Sequence, residues 1–108
     1  MLITKFCEIY GVDKGEVDYW TRIGLLHPRE LENGYRDYSG QAEEEILMIS
    51  VARMLDYPGS LESKIEKLYA IDDQEWNRIV ERLENKHNRF TRVFNAAHQF
   101  AINKADKR

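Results

Sequence analysis

Between positions 14 and 38 the chain gathers side chains suited to gripping anions: the ammonium of Lys14, the guanidinium groups of Arg29 and Arg36, and the phenols of Tyr19, Tyr35 and Tyr38. Such cations neutralise phosphates, phenol hydroxyls donate to phosphate oxygens, and an indole such as that of Trp20 packs against sugars. One carboxylate stands among them. Asp18 accepts where the others donate. Other chemistries find no support. Cys7 is the only cysteine and the three histidines are scattered, so no zinc-ligand spacing exists. Glu43, Glu44 and Glu45 have no partnered nucleophile, base and oxyanion donor around them, so neither enzymatic activity nor a cofactor is expected. Cys7, beside Phe6, reads as a small buried apolar residue.

These groups need elements to hold them. A short helix is predicted from Thr4, as N-cap, to Tyr10, with Phe6 and Ile9 three apart and Gly11 as its left-handed stop. Asp13 caps a second helix in which Val17, Trp20 and Ile23 share a face and which Gly24 closes. Two short helices joined by a glycine turn outline a helix-turn-helix. Asn33-Gly34 then signals a tight hairpin turn with both residues at positive φ, giving a two-stranded wing. Ser39 is placed to cap a third helix reaching about Leu55. Ile46, Leu47, Ile49, Val51, Ala52 and Leu55 cover more than one face of it, which puts it at the centre of the domain. Tyr57-Pro58-Gly59 ends that helix, and a fourth runs from Ser60 to about Ala70 on Leu61, Ile65 and Leu68.

From Asp72 and Asp73 to about Asn103 the chain has neither Gly nor Pro, which predicts a helix roughly 45 Å long. Trp76, Val80, Leu83, His87, Phe90, Phe94, Ala97 and Ala101 recur at alternating spacings of four and three, a dimerisation seam. With the twofold axis set at the middle of the stripe, an antiparallel pair of these helices opposes Trp76 to Ala101, Val80 to Ala97, Leu83 to Phe94 and His87 to Phe90. Large side chains then meet small ones at the ends, whereas a parallel pair stacks Trp on Trp. Protonation of His87 against Phe90 would loosen such a dimer.

The 108 residues hold one small core and exclude a multidomain enzyme. With 43% apolar and 32% charged residues the chain is globular rather than disordered. No apolar stretch reaches the roughly 20 residues of a membrane span and no signal-peptide core opens the chain, so a cytoplasmic protein is expected. The net charge of −3 gives no basic footprint. Residues 1–58 carry six Lys/Arg against eleven Asp/Glu, and residues 59–108 carry ten against eight, so the half with the anion-binding residues is the acidic half.

The order Tyr19-Trp20, Ile23-Gly24-Leu25-Leu26, Pro28, Asn33-Gly34-Tyr35-Arg36, Tyr38-Ser39 resembles the N-terminal domain of the MerR family of bacterial transcription regulators. The likeness extends more loosely through Arg53-Met54-Leu55-Asp56-Tyr57, over about the first seventy residues, and the long final helix resembles the family's dimerisation helix. The resemblance implies a mainly α protein: a winged helix-turn-helix over residues 1–71, then a dimerisation helix and polar tail over 72–108 that form an antiparallel coiled-coil dimer. It implies double-stranded DNA and a second copy of the chain as partners, with RNA polymerase a further partner at the promoter. The second helix would enter the major groove and the wing would grip the backbone, using Lys14, Asp18, Tyr19, Trp20, Arg29, Tyr35, Arg36 and Tyr38 at an inverted repeat that the dimer distorts.

Two residues depart from the family pattern. Asp18 and Glu30 stand where the family usually carries arginine, and a carboxylate facing phosphates repels them. A second reading therefore stays open, a winged-helix protein-interaction module that has lost DNA binding. Little chain follows the long helix, so no sensor pocket of ordinary size is expected there, and without a cysteine pair metal sensing is disfavoured.

Overall fold

The computed structural model describes residues 1–106; Lys107 and Arg108, the end of the polar tail, lie outside the described residues. Five helices and one small sheet follow in the order α1 (Ile3–Tyr10), α2 (Lys14–Arg22), β1 (Arg29–Glu30), β2 (Arg36–Asp37), α3 (Gln41–Met54), α4 (Leu61–Ala70) and α5 (Asp73–Asp106). They divide into two compact units, Met1–Tyr69 and Ala70–Arg108, two residues earlier than the division at 71 read from the sequence.

In the first unit α1 and α2 pack on each other and then on α3. Phe6, Val17, Trp20, Leu26, Tyr38, Ala42, Ile46 and Ile49 form the buried cluster, and Leu25, Leu61 and Ile65 close over it. Phe6 is fully enclosed and lies with its ring centroid 5.0 Å from both Tyr10 and Tyr38. One aromatic thus joins α1 to the segment that follows the wing. Leu47, placed on the apolar surface of α3 by the sequence, is instead exposed.

Three local expectations need correction, and tertiary ties explain two of them. Thr4 does not cap α1; the helix begins one residue before it, at Ile3, with extended Leu2 in the cap position and Met1 ahead of it held by hydrogen bonds to Asp37 and Tyr38. Ser39 does not cap α3. Its N–H is spent on Asp37 Oδ1 (3.0 Å) and its Oγ accepts from the Met1 amine (2.9 Å), while Gly40, at φ 72°, takes the cap position and donates to Glu43 Oε2 (3.2 Å). The wing turn is also wider than two residues. Gly34 alone has positive φ; the Gly34 N–H donates to Leu31 O (3.0 Å), the Leu31 N–H to Tyr35 O (2.7 Å), and the Asn33 side chain accepts from the Tyr35 N–H (3.1 Å). That is a three-residue loop closed by a left-handed glycine, a common hairpin alternative.

Asp13 does cap α2, and reciprocally: its carboxylate accepts from the Glu16 N–H (3.1 Å) and Glu16 reaches back to the Asp13 N–H (3.4 Å).

The second unit is essentially α5, 34 residues and about 51 Å long. At 100° per residue the eight seam positions fall within an arc of about 100°. Val80, Phe90 and Phe94 are exposed on it, as are His87, Ala97 and Ala101, while Trp76 and Leu83 are half-buried. Val93 and Phe100, also exposed, flank the seam seven residues apart and widen the apolar face beyond the sequence reading. Ile79, which the seam omitted, is buried.

Because Phe6 joins α1 to the wing, Phe6→Ala should destabilise the first unit by about 3–5 kcal/mol, the range for emptying a packed aromatic site. Urea denaturation followed by circular dichroism measures this, and Asp13→Ala should cost only about 1 kcal/mol in the same assay.

Candidate nucleic-acid interface

The outward face of α2 consists of Gly15, Asp18, Tyr19 and Arg22, three or four residues apart along one side of the helix. The Arg22 guanidinium lies 5.6 Å from the centre of the exposed Tyr19 ring, a cation–π pair that holds positive charge on this face. Arg22 was missed in the sequence, although its place three residues after Tyr19 was a usable signal. Lys14, at the start of α2, is exposed. The amides beside it form no anion-binding helix end, because Asp13 and Glu16 already accept two of those N–H groups and bring negative charge. Glu16 also pairs with Arg53 Nη1 (2.8 Å).

Trp20 and Tyr38 are almost wholly buried. Trp20 is 5% exposed, packed in the core with the Arg53 guanidinium 5.4 Å from its ring centre. Tyr38 is 1% exposed; its ring lies against Phe6 and its hydroxyl is 3.3 Å from Thr21 Oγ1. Both were predicted as contact residues because aromatic type alone does not distinguish a surface ring from one that fastens two elements together.

The wing is built from two pairs in antiparallel register, Arg29 opposite Asp37 and Glu30 opposite Arg36. Neighbouring residues of a strand point to opposite faces, so the two pairs lie on opposite sides of the ribbon. Arg36, Tyr35 and Glu30 are exposed, whereas Asp37 is mostly enclosed. Asp37 Oδ2 accepts from Arg29 (3.0 Å), and Oδ1 accepts from the Met1 amine (2.7 Å) and the Ser39 N–H (3.0 Å). The Arg36 side chain makes no hydrogen bond or ion pair among the described residues and is available to a partner.

Between the start of α1, α2 and the wing lies a groove of about 490 Å³. Asp18, Glu30, Tyr35 and Arg36 line it together with Thr4. The two carboxylates that depart from the family pattern therefore share one groove with the one uncommitted wing cation, which adjacency in sequence could not reveal. Lys14 and Tyr19 do not line it.

Cys7 is partly buried, and burial first, then the Asp13 carboxylate, pushes its thiol above the ordinary range, as suits an unreactive packing residue. Among the described residues no group of three His, Cys, Asp or Glu could hold a metal ion, and no helix is long and apolar enough to cross a membrane.

Residues 1–58, more than half of the chain, match the sequence model of the MerR HTH family of regulatory proteins. The chain belongs to the MerR family. It is similar to the HTH-type transcriptional regulator CueR of Bacillus subtilis, with 29% identity over 73% of this chain and 59% of that relative. The chain thus spans about six-tenths of the length of the curated relative it matches. The matched MerR segment runs from Met1 to Pro58 and includes α1, α2, the wing and α3.

The amine of Met1, and after it the Ser39 N–H and hydroxyl, hold the Asp37 carboxyl well below the usual carboxylate range. A carboxyl lowered on folding contributes stability that is present above its unfolded value, about 3.9, and lost as the pH falls toward the folded one. Asp37→Asn should accordingly be less stable than the parent near pH 7, with the difference shrinking as pH drops below about 4. Thermal unfolding of both proteins across pH 3–7 reads this directly.

Proposed function

We propose that this chain is a DNA-binding transcription regulator that works as a homodimer, binding an inverted repeat in a promoter and distorting it. The observation that carries the reading is the exposed, uncommitted Arg36 beside Tyr35 on the wing of a MerR-family chain. The outward face of α2, with Tyr19, Arg22 and Asp18, is the element for the major groove, and the wing is the element for the flanking backbone. Arg36 neutralises a phosphate, and Tyr19 and Tyr35 donate to phosphate oxygens. Lys14 and Arg29 add positive charge, Arg29 while keeping its bond to Asp37. Trp20 and Tyr38 act from the core, fixing where α2 and the wing sit. Asp18 reads a cytosine amino group, gaining sequence preference at the expense of affinity.

Dimerisation is supported by α5. A helix exposing Phe90, Phe94, Val93 and Phe100 along one side calls for a partner surface, and the order of residue sizes along the seam favours an antiparallel second copy. RNA polymerase at the promoter is the partner through which a distorted site would alter transcription, from the cytoplasm.

A second reading rests on one specific observation. Asp18 and Glu30 line the same groove as Arg36, so the local balance there is acidic. If those carboxylates outweigh the cations, the fold serves protein partners instead.

Electrophoretic binding to promoter fragments at two salt concentrations separates the two readings. A DNA binder weakens steeply as salt rises, and Arg36→Ala should flatten the logarithmic slope by about one unit. No retention of any native promoter fragment at low salt would favour the protein-interaction module. For the dimer, sedimentation equilibrium should give twice the chain mass. Phe90→Glu with Phe94→Glu should return the monomer, because charge in an apolar seam is left unpaired.

A further inference from the structure

The wing is too small to hold itself. Each of its strands has two residues, and an isolated two-stranded hairpin is at best marginally stable in water. Its position must therefore be set at its base. Two adjacent residues do this. Tyr38 is buried on Phe6, and its N–H donates to Met1 O (2.8 Å). Asp37 gathers three donors from three places in the chain: the Met1 nitrogen ahead of α1, the Arg29 guanidinium on β1 and the Ser39 N–H leading to α3.

We propose that Asp37 is a positioning residue for DNA binding, which by fixing the base of the ribbon holds Arg36, on the ribbon's other face, at the groove beside α2 where it can meet the phosphate backbone. The mechanism is the two-residue period of a strand: with Asp37 held by its donors on one face of the ribbon, its neighbour Arg36 is presented on the other, the face that lines the groove. Loss of the three donors leaves the ribbon free to twist at its base, and Arg36 then samples orientations that miss the backbone. Asp37 carries negative charge on a DNA-facing module and touches no DNA itself. A purely electrostatic account predicts that neutralising it strengthens binding, and the positioning account predicts that it weakens the contribution of Arg36. This inference rests on the DNA-binding reading above.

The test is a double-mutant cycle on the full chain, comparing parent, Arg36→Ala, Asp37→Asn and the double variant for binding to a promoter fragment that the parent retains. In the parent background Arg36→Ala should weaken binding about tenfold, as expected for one charge-assisted phosphate contact. In the Asp37→Asn background the same change should weaken it less than about threefold, and Asp37→Glu should restore most of the difference. Hydrogen exchange gives a readout without DNA: the Tyr38 amide, bonded to Met1 O, should exchange at least about tenfold faster in Asp37→Asn, while the core amide of Ile46 stays as in the parent. If Asp37→Asn does not fold, Ser39→Ala removes the hydroxyl that accepts from Met1 and should reduce the Arg36 effect partway. An equal cost of Arg36→Ala in all backgrounds, with tighter binding by Asp37→Asn, overturns the proposal and leaves the DNA-binding reading intact. Failure of the parent to bind any promoter fragment overturns that reading instead, and the exchange result then decides whether Asp37 holds the wing.

Discussion

The burial of Tyr38 is the constraint on which the first unit depends. Its ring on Phe6 and its hydroxyl at Thr21 tie the end of the wing to both α1 and α2, and its N–H ties it to Met1. With that residue fixed, the two short strands before it and the helix after it have few places to go. The wing lies beside α2 because the chain leaving it plugs the gap between α1 and α2. Lateral ties then complete the unit, Tyr10 donating to Glu43 (3.1 Å) and Arg53 meeting Glu16 (2.8 Å). Glu45 accepts from the His27 N–H (2.8 Å) and meets the His27 ring Nδ1, clamping the loop that leads into the wing onto α3.

The same constraint divides the aromatic residues into two classes that composition does not distinguish. Trp20 and Tyr38 hold elements together, whereas Tyr19 and Tyr35 stand on the surface of the elements so held. A recognition face needs both, since a guanidinium contributes directed binding only if its backbone is fixed before the partner arrives. Charge is arranged with similar economy. Arg29 and Arg53 are paired with carboxylates, Arg22 stacks on Tyr19, and Arg36 alone on the wing is uncommitted among the described residues. The net charge of −3 therefore understates what one face can do. It also places the opposing charge, since Asp18 and Glu30 converge on the groove that Arg36 lines.

Much of the fold was legible in the sequence, because its signals are local. Gly11 stops α1, Asp13 caps α2, Pro58 with Gly59 separates α3 from α4, and an uninterrupted run makes α5. The misses at Thr4 and Ser39 share one cause. Both residue types suit caps, but the Met1 amine is tied to the side chains of Asp37 and Ser39, 36 and 38 positions away in the chain and beyond any local pattern, while the Ser39 N–H goes to Asp37. The Asn33-Gly34 pair correctly marked a turn but not its width, because the Asn33 side chain takes the Tyr35 N–H and leaves only Gly34 at positive φ. Of the candidate site, the charged members stayed on the surface as their solvation demands. The aromatic members were ambiguous in principle, since burial of Trp20 and Tyr38 follows from which elements meet. Val93 and Phe100 escaped the heptad reading because they flank the seam and do not fall within its alternating register.

The proposed function requires a dimer that would place two copies of this wing and this α2 face on one stretch of duplex. Hydroxyl-radical footprinting over the DNA upstream of the protein's own coding region tests that most directly. The account predicts two protected patches related by a twofold axis over an inverted repeat, with altered reactivity between them where the duplex is distorted. Uniform reactivity across that region at low salt, with the protein folded and in excess, would contradict it.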